Sequence, residues 1–286
     1  MSEERVAVLM DTGGDLPISM CEKEGIEILP LHVIYPEKDY ADGIDIDPMM
    51  VYRRFPDEIP STSTPSIQEV LEKFEEIAAK GYNKLIVISI SSALSSTGNT
   101  VRIAAKDCQC LESIYVFDTK NISFASGIFA LYVVRQLRKG KTYDEVVALL
   151  QEKIYDSRVF FYMDTLKYLR HGGRIGRVAS FIGEALHLKP IISCDPNGVY
   201  YTVAKIRGAA LGKKRLIEEI IKFVGDRSCW IIVGEGDAHD EAMKTKELLM
   251  KKLPNMEYLL DKQINATLAI NTGPGLVGIM AFVNPN

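Results

Sequence analysis

The stretch SISSALSSTGN, residues 89–99, follows the apolar run KLIVI and carries Ser89, Ser91, Ser92, Ser95, Ser96 and Thr97, with no His, Lys or Asp among them. A hydroxyl becomes a nucleophile when a base takes its proton. Without one, the residue type suits another task, donating hydrogen bonds to an oxyanion. A second hydroxyl group, PSTSTPS at 60–66, places Thr62 and Ser63 in an extended loop, while Ser66 and Glu69 have the spacing of a capping box that opens the helix QEVLEKFEEIAA. A third loop, DTGGD at 11–15, also follows a strand-like run. Ligands of open α/β sheets sit beyond the carboxyl ends of the strands, so the three loops are expected to converge at one sheet edge.

Other chemistries lack their motifs. GPGLVG, 273–278, has the literal spacing of a dinucleotide fingerprint but runs into a strand-like segment instead of opening a helix. CWIIVGEGDAH puts His239 where the third glycine should stand. Gly140-Lys141-Thr142 resembles the end of a phosphate loop, yet the leading glycine would fall at Arg135, within a helical pattern. There is no G-x-S-x-G elbow, and His32, His171, His187 and His239 are far in sequence from the serines. Cys21, Cys108, Cys110, Cys194 and Cys229 are odd in number and lack C-x-x-C or matching His spacing, which suggests neither a disulfide framework nor a zinc site. No metal and no nucleotide cofactor is expected.

The elements that must hold these loops read as α/β. Apolar β-rich runs (RVAVLM, IEILPLHVI, KLIVISI, SIYVFD) alternate with helical patterns at 17–24, 66–79, 98–106 and 121–138, as in βαβ units with a mostly parallel sheet. A further helix at 142–154 follows a Lys-Gly-Lys break. After RVFFYM come a helix-like 176–187, KPIISCD, a DPNG turn, VYYTVA, helices at 209–224 and 238–252, and the strand-like runs CWIIVGEG, MEYLLD, ATLAIN and LVGIMAFV. The turn predicts a hairpin and hence a mixed sheet. The expected organisation is an N-terminal three-layer α/β/α domain, 1–157, carrying the hydroxyl loops, and a C-terminal mixed α/β domain, 158–286.

Across 286 residues, 47% hydrophobic and 25% charged content describes an ordered chain with ample core. A net charge of −4 supplies no broad cationic field, so nucleic acid is not an expected partner. The local exception, Lys205, Arg207, Lys213, Lys214 and Arg215, reads either as a solvated helix face or as a docking surface for an acidic partner. Without a signal-peptide core or a membrane-length apolar run, the expected location is the cytoplasm, with no stable membrane insertion.

Taken in order, Asp11-Thr12 with Asp15-Leu16-Pro17, Thr62-Ser63-Thr64-Pro65-Ser66, Ser91 to Thr97, LKYLRHGGRI at 166–175, Lys189-Pro190-Ile191, Ile206-Arg207-Gly208 and Gly273-Pro274-Gly275 resemble the DegV family, whose members bind long-chain fatty acids. The resemblance implies that Thr62 and Ser95, with nearby amides and the flanking Ser63, Ser92 and Asn271, hold the carboxylate while the acyl chain enters an apolar tunnel between the domains. It also implies a lipid-binding protein rather than an enzyme. A separate ATP-dependent fatty-acid kinase would make the acyl phosphate for phospholipid synthesis, docking on the side marked by Arg207 and Arg174. The competing reading is a small-molecule phosphotransferase related to dihydroxyacetone-kinase substrate domains. Two positions depart from the family pattern. Asn271 stands where H-x-G-P-G is usual, and Ser96 replaces the glycine of L-S-G-T.

Overall fold

The apolar runs at Val6–Asp11 (β1), Ile26–Leu29 (β2), Lys84–Ser89 (β6) and Ser113–Asp118 (β7) form a parallel sheet in order β2-β1-β6-β7, in a computed structural model that describes residues 4–181, 188–207 and 209–285. Alternate residues point to opposite faces, as strand periodicity requires. Ala7, Leu9, Leu85 and Val87 pack under the helices Ile67–Ala79 (α3) and Thr97–Asp107 (α4). Val8, Met10, Ile86 and Ile88 pack instead under Phe124–Arg138 (α5). Ser66 closes the expected capping box with Glu69, and Thr142 forms a second one with Glu145 at the start of Tyr143–Glu152 (α6).

The run IEILPLHVI is not one strand. It breaks at Pro30, which has no N–H to give a ladder, and the chain re-pairs as His32–Ile34 (β3) in a three-stranded antiparallel sheet with Asp39–Ala41 (β4) and Ser61–Ser63 (β5), ordered β4-β3-β5. Short helices Ile18–Glu24 (α1) and Pro48–Arg54 (α2) flank these pieces.

From Ser157 onward the strands build one mixed sheet: Ser157–Tyr162 (β8), Leu188–Cys194 (β9), Tyr200–Arg207 (β10), Cys229–Gly236 (β11), Met256–Gln263 (β12) and Leu276–Val283 (β13), in order β10-β9-β8-β13-β11-β12. The DPNG turn forms the expected hairpin, with β9 and β10 antiparallel and Gly198 N–H donating to Asp195 O at 2.8 Å. Ala209–Val224 (α8) and His239–Met250 (α9) cover the outer face of this sheet, over Ile191, Ile231, Val233, Ile279 and Ala281. Residues 176–181 form a 3-10 turn, and the rest of the expected 176–187 helix lies outside the described residues.

Helix α5 carries apolar residues around its whole circumference, and twelve of its residues are buried. Such a helix belongs inside a protein. One side meets the parallel sheet. The other meets Val159, Trp230, Met280 and Phe282 of the mixed sheet, with the Phe129 and Phe282 rings edge to face at 5.3 Å. The layers therefore run α3/α4, parallel sheet, α5, mixed sheet, α8/α9, through a core continuous across α5. Lys167–His171 (α7) and Ala266–Thr272 (α10) stand at one end. ATLAIN, which reads as strand-like, is the helix α10, because Ala266, Ala269 and Ile270 recur at helical spacing and pack on Val33 and Val51. No described helix is long and apolar enough to cross a membrane.

Candidate functional site

The hydroxyl loops meet at a cavity of about 300 Å³ whose wall includes Thr62, Ser63, Ser95, Arg174, Tyr200 and Asn271. Leu31, Ile90, Leu94, Ile122 and Leu268 supply apolar surface between them. Ile122, Tyr200, Leu268 and Thr272 also line a second, smaller cleft of about 30 Å³, whose remaining lining is almost wholly apolar and includes Phe124, Val159, Phe161 and Met280. A polar chamber thus adjoins an apolar one across a shared wall.

Each polar group is held from behind. Thr62 and Ser63 lie in β5 rather than in a loop, opposite Val33 and His32. Ser95 follows the turn after β6, where Ser95 N–H donates to Ser91 O at 3.0 Å and the Ser95 and Thr97 hydroxyls lie 2.8 Å apart. Ser91 ties this turn to the hairpin by donating from Oγ to Gly198 O at 3.0 Å. The N-terminus of α4 begins at Thr97, so the positive end of its dipole is directed at the hydroxyl turn. Asn271 donates from Nδ2 to Thr267 O at 2.9 Å, and its Oδ1 occupies the space that a side chain on Gly172 would need.

DTGGD does not join the wall. It is buried beneath it as an anchor. Asp11 Oδ2 accepts from Ile90 N–H at 3.0 Å, and Thr12 Oγ1 accepts from Leu31 N–H at 2.9 Å, which fixes two residues of the lining. Asp15 accepts from Asn265 N–H at 2.8 Å and from the Ser123 hydroxyl at 2.5 Å, and Asp42 accepts from Thr267 N–H at 3.2 Å. These carboxylates meet the N-terminus of α10, where negative charge is favoured. Lys262 completes the network through Nζ to Asp15 O at 3.0 Å and Asn265 Oδ1 at 2.6 Å. Asp15 and Asp42 share this one part-buried ammonium. Burial dominates, raising Asp11 to about 6 and Asp15 to about 7, raising Asp42 as well, and pulling the Lys262 ammonium below its ordinary range.

Arg174 is the charged side chain of the cavity wall. Its Nε donates to Leu94 O at 3.3 Å and Nη1 to Gly172 O at 2.6 Å, leaving further guanidinium donors in its fork. The resemblance places Arg174 with Arg207 on a docking side; in the fold Arg174 is exposed and lines the cavity wall. Arg207 is exposed at the end of β10 and does not line the cavity. Lys213 and Arg215 of the surrounding basic stretch are paired internally, with Glu241 and with Glu218 and Glu219 respectively. Ser92 is also absent from the lining. It is exposed, and its hydroxyl bonds Asp118 Oδ2 at 2.5 Å, on the side of the turn away from the cavity.

Tyr200, Thr267 and Thr272 are wall residues that the motifs do not mark. Tyr200 follows directly on the hairpin turn, the one local signal for it. Burial holds its phenol well above the usual range, so it remains a neutral donor. The two threonines become visible only once ATLAIN is recognised as a helix. Among the described residues the wall offers hydroxyls, an amide and one guanidinium, and no histidine. Its chemistry is that of holding an anion with an apolar tail.

Comparison with known proteins agrees in extent. A DegV domain-containing protein of Clostridium acetobutylicum is 36% identical over 279 residues, covering 98% of this chain and 99% of its own. A Thermus thermophilus structure described as fatty acid binding of a DegV family protein superimposes with a TM-score of 0.91 at 26% identity, over 98% of this chain and 99% of that one. Bacillus subtilis DegV, described as a fatty acid binding protein, gives 0.89 at 28% identity, over 98% and 100%. The DegV family model matches residues 5–284, taking in the hydroxyl turn, the β5 hydroxyls and the Gly-Pro-Gly loop together, and by that match the chain belongs to the DegV family.

Proposed function

We propose that this protein binds a long-chain fatty acid, with the carboxylate among Thr62, Ser63, Ser95 and Asn271 and the tail in the apolar cleft. The observation that carries this is the junction of a polar chamber and an apolar one across Ile122, Tyr200, Leu268 and Thr272. Relatives described as fatty-acid-binding share the whole fold. The energetics fit. Each buried methylene contributes about 0.8 kcal/mol, so affinity comes from the tail, and the head group sets orientation. A buried carboxylate needs several donors because an unpaired charge is costly, and the wall supplies hydroxyls beside a guanidinium.

In this reading the protein is a carrier: the halves 1–157 and 158–286 meet over the tail, and the bound acid is presented to an ATP-dependent fatty-acid kinase at the face bearing Arg207. Arg174 belongs to the head-group site, where it stabilises the carboxylate.

Native mass spectrometry of the purified protein, followed by organic extraction and acyl analysis, tests the binding. A stoichiometric fatty acid, lost when Thr62→Ala is combined with Ser95→Ala, is the expected result. Charge-assisted hydrogen bonds are worth about 1.5–3 kcal/mol each, so the double variant should bind at least about a hundredfold more weakly. A protein that is empty as purified and ignores added fatty acid would overturn the reading.

A further inference from the structure

We infer that a pair of facing glycines, Gly234 and Gly278, forms a trough across the mixed sheet that receives the far part of the acyl tail and sets the chain length this protein prefers. The inference rests on the fatty-acid reading above and identifies the residues that would give it selectivity.

The two glycines are directly opposite on neighbouring strands, Gly234 of β11 against Gly278 of β13, and Gly278 in turn faces Phe161 of β8. All three line the apolar cleft. Leu276 and Met280, two positions to either side of Gly278, line it too, as period-two alternation demands. One row of the sheet therefore lacks side chains across two adjacent strands, in a face otherwise carrying large ones. Glycine weakens a strand interior, and its presence there marks a site of close approach.

For Gly234 the structure shows what approaches. A Cβ there would stand 2.9 Å from the Phe124 ring, which lies over it. Gly278 differs. A Cβ there would meet, within 4 Å, only atoms of its neighbouring strands: Phe161 Cβ at 3.3 Å, Phe160 O at 3.6 Å and Gly234 O at 4.0 Å. No side chain from the helix above fills its place. Packing against α5 explains the first glycine and leaves the second unexplained, while the cleft it lines accounts for both.

The row also points the right way. Tyr200, on the wall shared by the two chambers, meets the Phe161 ring edge to face at 5.5 Å, and beyond Phe161 come Gly278 and then Gly234. A tail leaving the polar chamber past Tyr200 thus runs across the strands along the bare row. The cleft is narrow, about 30 Å³, and Phe124, seated on Gly234, is the side chain that stands beside the row.

The test uses the delipidated full chain incubated with an equimolar mixture of saturated fatty acids of twelve to twenty carbons, with the bound distribution read by native mass spectrometry. Gly278→Ala should shift the distribution towards shorter acids, by about fourfold in relative affinity for each methylene refused. Met280→Ala, which enlarges the same end, should shift it towards longer ones. Opposite shifts cannot come from a general loss of stability. If Gly278→Ala fails to fold, Met280→Ala decides alone. Distributions matching the wild type in the folded variants would overturn the trough while leaving fatty-acid binding intact. A wild-type protein that takes up none of the acids would overturn the binding reading and this inference with it.

Discussion

Replacing Asp15 by asparagine separates the buried anchor from the rest of the molecule. Asp15 is fully buried, and burial raises its carboxyl to about 7 against an ordinary value of 3.8, although Lys262, the Ser123 hydroxyl and the Asn265 amide all pull the other way. Because the folded value lies above the unfolded one, the folded state holds the proton more tightly. Its contribution to stability is complete below the ordinary carboxylate range and is lost as pH rises through about 7. At about 1.36 kcal/mol per unit, the two units between pH 5 and 7 correspond to about 2–3 kcal/mol. Asparagine keeps an acceptor for Asn265 N–H and offers Ser123 a donor, so the change removes the titration and little else. Urea unfolding from pH 5 to 8 should show the wild type losing this increment relative to Asp15→Asn. Parallel stability curves for the two proteins would refute the reasoning, since they would mean that Asp15 titrates alike in the folded and unfolded chains.

Arg174→Gln should weaken fatty-acid binding by about tenfold or more, in proportion to a charge-assisted hydrogen bond, and should leave the fatty alcohol of equal length bound as before; equal losses for acid and alcohol in a competition assay would remove Arg174 from the head-group site. Ser92→Ala should leave acyl occupancy unchanged by native mass spectrometry, because its hydroxyl is spent on Asp118 outside the cavity, and a loss comparable to that of Ser95→Ala would contradict the placement.

Legibility in the sequence followed the range of the interactions. Period-two and period-3.6 patterns and the DPNG turn are local, and so β1, β6, α3 and the β9–β10 hairpin were readable. The split of IEILPLHVI was not, since a short strand such as β3 is defined by partners elsewhere in the chain. Helix α10 was misread because six residues cannot distinguish a buried helix from a strand until Val33 and Val51 are seen against it. On the cavity wall, Thr62, Ser95 and Asn271 are marked by family motifs, and Tyr200 is not, because one aromatic beside a turn carries no distinctive spacing. Ser92 and Ser95 are indistinguishable in sequence. Only the direction in which the turn sends each hydroxyl separates them. The role of DTGGD was inverted for a related reason: a short acidic loop after a strand reads the same whether it faces a ligand or braces the loops that do.

The placement of α5 between two sheets bears on how a greasy molecule could get in. A clamshell motion would have to peel a helix with twelve buried residues off one of its sheets, baring a broad oily surface on both parts at once. The spine is therefore the stationary piece. By contrast β5, three residues long and at the outer edge of its sheet, holds the body by a single short ladder to β3. Opening at the rim that carries Thr62 would break only that ladder, whereas parting α5 from either sheet would expose a large apolar face.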